Sequence, residues 1–320
     1  MAVNHASLDP ELAAALAAMP KGANGSLMDL TDIPALRAQL SAAGEQRPEP
    51  DPRVTIKTLR VPRPDESTMD VVLFTPADAD RPLPALAYFH AGGQVLGSAH
   101  DDTTYPSALA LSLNSIIAVV DYRLAPETPA PGAAEDGYLA YTHLVAHAAE
   151  HGIIPNRIGL AGASGGGAPA TATALMIRDR GATPPCLLSL NYAMLDDRNE
   201  TPSSFEVTDL GIWDRRENLL AWAAVLGDRV GRPDVDPYSA PGRATDLHAM
   251  PETFVAVGQF DVFRDENISF ASRLLAAGVP VELHVYAHTF HAWDLFAPES
   301  RLTLSFERTW HDFLSRRLHS

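Results

Sequence analysis

Apolar and polar positions alternate along residues 53–61, the period-two pattern of a half-exposed strand, and residues 69–74 are its expected partner across a turn at Pro62-Arg63-Pro64-Asp65. The two segments predict a hairpin. From Leu83 the pattern changes to short, unbroken apolar runs at 84–89, 115–120, 157–160, 185–190, 253–257 and 281–286. Segments of helical character separate most of them, at 104–113, 132–150, 166–180 and 266–277. Buried strands that alternate with helices predict an α/β fold, a mostly parallel sheet covered on both faces.

Two regions depart from this rhythm. Residues 8–19 and 33–43 predict N-terminal helices, the first stopped by Pro20, with a turn at 22–25 and a proline-rich linker at 45–53. Residues 193–250 carry no strand pattern, and such a length is too great for a simple connection. The expected division is therefore a helical piece at 1–45, a catalytic core at 46–192 and 251–320, and an insertion at 193–250. The N-terminal helices and the insertion together predict a cap. Trp213, Trp222, Leu219 and Leu220 are candidates either for its own core or for the wall of a pocket.

Composition narrows the function classes. Twenty-four basic against forty acidic side chains leave a net charge of −16 and no dense Lys/Arg face, which disfavours nucleic-acid binding. A single cysteine, Cys186, rules out an intrachain disulfide and suits a reducing compartment. It lies in an apolar run, as a buried structural thiol does. The N-terminal apolar stretch lacks a preceding basic segment and carries Asp9 and Glu11, so it reads as a helix start and not a signal peptide. No stretch is long and apolar enough to span a bilayer, and a soluble cytoplasmic protein is the expectation.

The candidate chemistry begins at Gly162-Ala163-Ser164-Gly165-Gly166, between a predicted strand and a predicted helix. Glycines flanking a Ser at such a junction form the nucleophile-elbow pattern, where the tight turn leaves no room for flanking side chains. A Ser nucleophile needs a base and an orienting acid. Asp261 and His291 each follow the C-terminal end of a predicted strand, where open α/β sheets place their sites. Ser, Asp, His is the chain order of the α/β-hydrolase triad. His90-Ala91-Gly92-Gly93 follows another strand and suits an oxyanion loop, with Gly165 as a further N–H donor. A metal site built from His284, His288 and His291 is the rival reading, but no HExxH-type helix accompanies it. Asp265 rivals Asp261 as the acid, although with Glu266 it reads as a first-turn acid of a helix.

Five segments in order resemble the hormone-sensitive-lipase-like carboxylesterases of the α/β-hydrolase fold, across about Pro84 to Asp294. They are Tyr88 to Gly93, Tyr122-Arg123-Leu124-Ala125-Pro126-Glu127, Gly162 to Gly166, Gly258 to Asp261 with Arg264-Asp265-Glu266, and Val281 to His291. The resemblance implies a serine carboxylesterase acting on small, short-chain esters through Ser164, Asp261 and His291. It implies oxyanion donors at Gly92, Gly93 and Gly165, with His90 supporting the loop and Arg123 and Glu127 structural. It implies no metal and no cofactor, and family members often form homodimers. Trp213, His288 and Trp293 are expected on the pocket side. Ala91 and Ala163 depart from the family pattern. The alternatives are a receptor-like binding protein, against which His291 argues, and an amide hydrolase using the same triad.

Overall fold

The computed structural model describes residues 3, 5–22, 25–44, 50–80 and 82–320. The predicted linker falls largely on 45–49, and the predicted turn partly on 23 and 24, outside the described residues. The strands are β1 (Val54–Pro62), β2 (Thr68–Pro76), β3 (Leu83–Phe89), β4 (Ile116–Val120), β5 (Ile153–Ala163), β6 (Leu188–Asn191), β7 (Thr253–Phe260) and β8 (Val281–Phe290). They form one sheet in the order β1-β2-β4-β3-β5-β6-β7-β8. β1 and β2 form the antiparallel hairpin, β2 joins β4 antiparallel, and every later pairing is parallel.

The helices are α1 (Pro10–Ala18), α2 (Ile33–Gly44), α3 (Thr104–Leu113), α4 (Gly132–Ala146), α5 (Gly167–Asp179), α6 (Pro202–Glu206), α7 (Arg215–Leu226), α8 (Arg264–Ala276), α9 (Trp293–Phe296) and α10 (Arg301–Leu318). Every residue of β3 and β4 is buried, as unalternating apolar strands must be when helices cover both faces. On one face Tyr141 and Leu144 of α4, Leu175 of α5 and Phe270 and Leu274 of α8 join the sheet in one apolar cluster. On the other, Leu109 of α3 and Phe306, Trp310 and Phe313 of α10 form a second cluster. That cluster continues without a break into Leu12 and Leu16 of α1, Trp213, and Trp222 and Val225 of α7. Among the described residues, no strand lies in 193–250. This region is tied to the N-terminal segment by Lys21 Nζ donating to Leu210 O (2.8 Å) and Leu27 N donating to Gly211 O (2.7 Å).

Helix α10 has no counterpart in the sequence reading. Its buried Phe306, Trp310, Phe313 and Leu314 recur at helical spacing on one side of an otherwise charged segment. Ser300 caps its start by accepting from Thr303 N.

Candidate active site

The C-terminal ends of the central strands converge. Phe89 pairs with Gly162, Ala163 with Asn191, and Phe260 with Phe290. The residues that follow them, His90 to Gly93, Ser164, Tyr192, Asp261 and His291, therefore emerge along one edge of the sheet. This is the edge that open parallel sheets use for their sites.

Ser164 sits in the turn between β5 and α5 with φ of +52°, the left-handed region that costs a non-glycine residue roughly 1–2 kcal/mol. The turn tolerates this only because its flanks are bare. A Cβ at Gly162 would lie 2.3 Å from Gly166 O. The Ser164 hydroxyl stands 2.9 Å from His291 Nε2. His291 Nδ1 is 2.8 Å from Asp261 Oδ2, and since a carboxylate only accepts, Nδ1 carries the proton and Nε2 is free to accept from Ser164. Asp261 is itself held by the Phe263 N–H, which donates to Oδ1 at 2.9 Å. All three side chains are buried, Asp261 completely. The imidazole is enclosed by the ring edges of Tyr192 at 5.1 Å and Phe263 at 5.2 Å.

The glycine loop lies against the elbow. A Cβ at Gly165 would lie 2.2 Å from Gly93 N, so the two backbones meet with no room for a side chain. His90 is half-buried, with its ring turned inward, and desolvation holds its imidazole below the usual histidine range, in the neutral form. Its Nδ1 donates to Ala91 O at 2.9 Å, and its ring stacks on Tyr122 at 4.3 Å. The Tyr122 hydroxyl donates to His90 O at 2.7 Å. Asp121 accepts from Ser98 Oγ and Ala99 N, both at 2.8 Å, and secures the far side of the loop. Neither Tyr122 nor Asp121 was singled out from sequence as loop support, although Tyr122 lies within a quoted family segment.

Other sequence candidates fall into place around this centre. The Asp265 carboxyl is opposed by burial but held below its ordinary range by Arg264 and Ser203 N, and it lies in the first turn of α8, apart from His291. Arg123 and Arg63 both ion-pair with the fully buried Asp136, and Glu127 pairs with Arg37. Burial pushes the Cys186 thiol up to about 11, which leaves it protonated at neutral pH. His288 is exposed, and its Nδ1 donates to Ser7 O at 2.7 Å. Its carbonyl accepts from Asp9 N, so it pins the start of α1 to the loop that carries His291. His284 instead faces Glu282 at 3.8 Å. Among the described residues, no group of His, Cys, Asp or Glu is arranged to hold a metal ion.

Two of the expected pocket residues differ sharply. Trp213 is nearly buried, its ring 6.5 Å from that of His291 and in contact with Gly93. Trp293 is a correction. It has no exposed surface and packs among Tyr192, Tyr286 and Phe306, because α9 turns it under the His291 loop and into the core.

A family model described as alpha/beta hydrolase fold matches residues 86–295, which span all of these strand ends. The chain belongs to the α/β-hydrolase family, in its hormone-sensitive-lipase-like branch. Its relatives in the family include Esterase LipI of Mycobacterium tuberculosis, 33% identical over 295 residues that cover 91% of this chain and 89% of the relative. Carboxylesterase NlhH of the same organism is 33% identical over 78% of this chain and 79% of its own. Among solved structures, a bacterial heroin esterase superimposes with a TM-score of 0.92 at 36% identity, covering 99% of this chain and 100% of that one. No described helix is long and apolar enough to cross a membrane.

Proposed function

We propose that the chain is a serine carboxylesterase that hydrolyses short-chain esters through an acyl-enzyme. The carrying observation is the unbroken relay from the Ser164 hydroxyl through His291 to Asp261, at 2.9 and 2.8 Å. Ser164 Oγ attacks the ester carbonyl carbon while its proton passes to His291 Nε2. The carbonyl oxygen becomes an oxyanion, and the N–H groups of Gly92, Gly93 and Gly165 are assigned to receive it. The C–O bond to the alcohol then breaks, and His291 returns the proton to the leaving alkoxide. Water attacks the acyl-enzyme by the same steps in reverse and releases the carboxylate and free Ser164.

Asp261 keeps the proton on Nδ1 and offsets the charge of the imidazolium. Neutral His90 is a support for the loop and takes no proton in this scheme. Residues 1–45 and 193–250 are assigned to a cap over the core at 46–192 and 251–320. Trp213 then closes the space above Gly93, which favours small acyl groups, and His288 lies at the rim. The relatives named esterase and carboxylesterase support the substrate class. The charge of −16 supports a role unconnected with nucleic acid, and the single cysteine suits a cytoplasmic setting. A homodimer is expected, and light scattering decides it. A p-nitrophenyl ester series from acetate to dodecanoate, run beside matched anilides, tests the substrate reading. A maximum at acetate or butyrate is expected, while a maximum at dodecanoate, or anilides cleaved faster than esters, contradicts it.

A further inference from the structure

Asp294 is a buried carboxylate that the triad scheme leaves unused. Its Oδ2 accepts from the Tyr192 hydroxyl at 3.1 Å, and among the described residues no other side chain reaches its buried Oδ1. The groups that face it are Tyr192 from the end of β6, Tyr88 of β3, Tyr105 of α3, Glu307 of α10 and His291. The one cation among these is the imidazolium that forms when His291 takes a proton. A buried carboxylate enclosed by aromatic rings, with one side-chain donor, is costly, and such a cost calls for a reason.

Tyr192 supplies the link. Its ring meets the His291 ring edge to face, with centroids 5.1 Å apart and planes at 75°. Its backbone has φ of +42°, a conformation that a bulky residue adopts only when its surroundings impose it. Tyr192 N is anchored on Ala256 O at 2.6 Å and its hydroxyl on Asp294 Oδ2, so the ring is fixed at both ends.

We propose that Asp294 is a positioning residue for His291: through the Tyr192 hydroxyl it fixes the ring against which the imidazole stands, and its carboxylate stabilises the imidazolium of the tetrahedral step. The proposal rests on the esterase reading of Ser164 and His291. Asp261 holds the Nδ1 proton, whereas Asp294 acts through Tyr192 and through space. Burial pushes the Asp294 carboxyl up to about 6, so its charge is present at neutral pH and lost under mild acid.

The test compares wild type, Y192F, D294N and the double variant on p-nitrophenyl acetate from pH 5 to 9. Folding is checked by circular dichroism, and wild-type Ser164 by fluorophosphonate labelling. Each single variant is expected to lose about ten-fold in kcat at pH 7.5 with little change in KM, the effect of removing a charge interaction of a kcal/mol or so at short range. The double variant should fall no further than the worse single one, since the two act as one unit. The acid decline of kcat should be steeper in the wild type than in D294N. Folded variants with wild-type kcat and pH profile, or losses confined to KM, overturn the proposal. If D294N does not fold, Y192F decides, because it keeps the ring and removes only the hydroxyl. A wild type that carries no label at Ser164 sinks the esterase reading itself, which is a separate failure.

Discussion

The indole of Trp213 lies against Gly93: a Cβ placed on Gly93 would fall 2.3 Å from Trp213 Cη2. The glycine loop and the region that follows β6 thus meet at the centre, on the side of the site where the oxyanion is assigned. Trp213 Nε1 donates to Asn218 Oδ1 at 3.4 Å, which orients the ring. Trp213→Ala therefore opens space above Ser164. The expected outcome is a shift of the p-nitrophenyl ester optimum toward longer acyl chains, read as kcat/KM across the series. An unchanged chain-length profile in a folded variant contradicts this role.

The meeting of Gly165 and Gly93 leaves no tolerance. Gly165→Ala drives a methyl into backbone atoms 2.2 Å away and pushes two of the three assigned oxyanion donors, Gly165 and Gly93, apart. The predicted loss in kcat is about 10²–10³, the range seen when one oxyanion donor is removed. KM for a short ester should change far less.

Asp136 is fully buried between Arg63 and Arg123 and also accepts from Arg123 N. Asp136→Ala strands two guanidinium groups, one of them nearly buried, and should cost about 3–5 kcal/mol. Urea unfolding measures it. The residual folded enzyme should keep its KM, because the cluster lies outside the relay.

Stability and activity should part company at Asp294. Its carboxyl is raised from 3.8 to about 6 by burial, so the folded state holds its proton more tightly than the unfolded chain. The cost to folding is absent below about 3.8, grows as pH rises through that interval, and is complete above 6. Asp294→Asn removes a cost of about 3 kcal/mol at pH 8 and less at pH 5. Chemical denaturation at the two pH values should show the variant gaining more at pH 8, even as its turnover falls.

Much of this architecture is legible before any coordinates. All eight strands answer to predicted segments: burial on both faces strips polar residues from central strands such as β3 and β4, whereas β1 is half-exposed and alternates. Ser164, Asp261 and His291 are legible because each follows an apolar run after only a short segment. What escapes the reading depends on geometry that periodicity does not carry. Tyr192 follows β6 and Asp294 follows His291, yet neither type signals a role until the fold brings a hydroxyl to a carboxylate 102 positions away in the chain. Trp293 adjoins the site in sequence and is turned into the core by α9. The strand ends blur for the same reason: β5 and β8 each run beyond their apolar cores, which pairing and not patterning determines. Helix α10 is hard to read from sequence although its apolar stripe is regular, since charged residues on its outer side lower its average hydropathy.

The most direct measurement of the central claim is mass-spectrometric mapping of a fluorophosphonate adduct, paired with p-nitrophenyl acetate turnover by Ser164→Ala. The account predicts one adduct per chain, on Ser164, and a loss of at least about 10³-fold in kcat for the variant. An adduct on another residue, or turnover retained by Ser164→Ala, contradicts it.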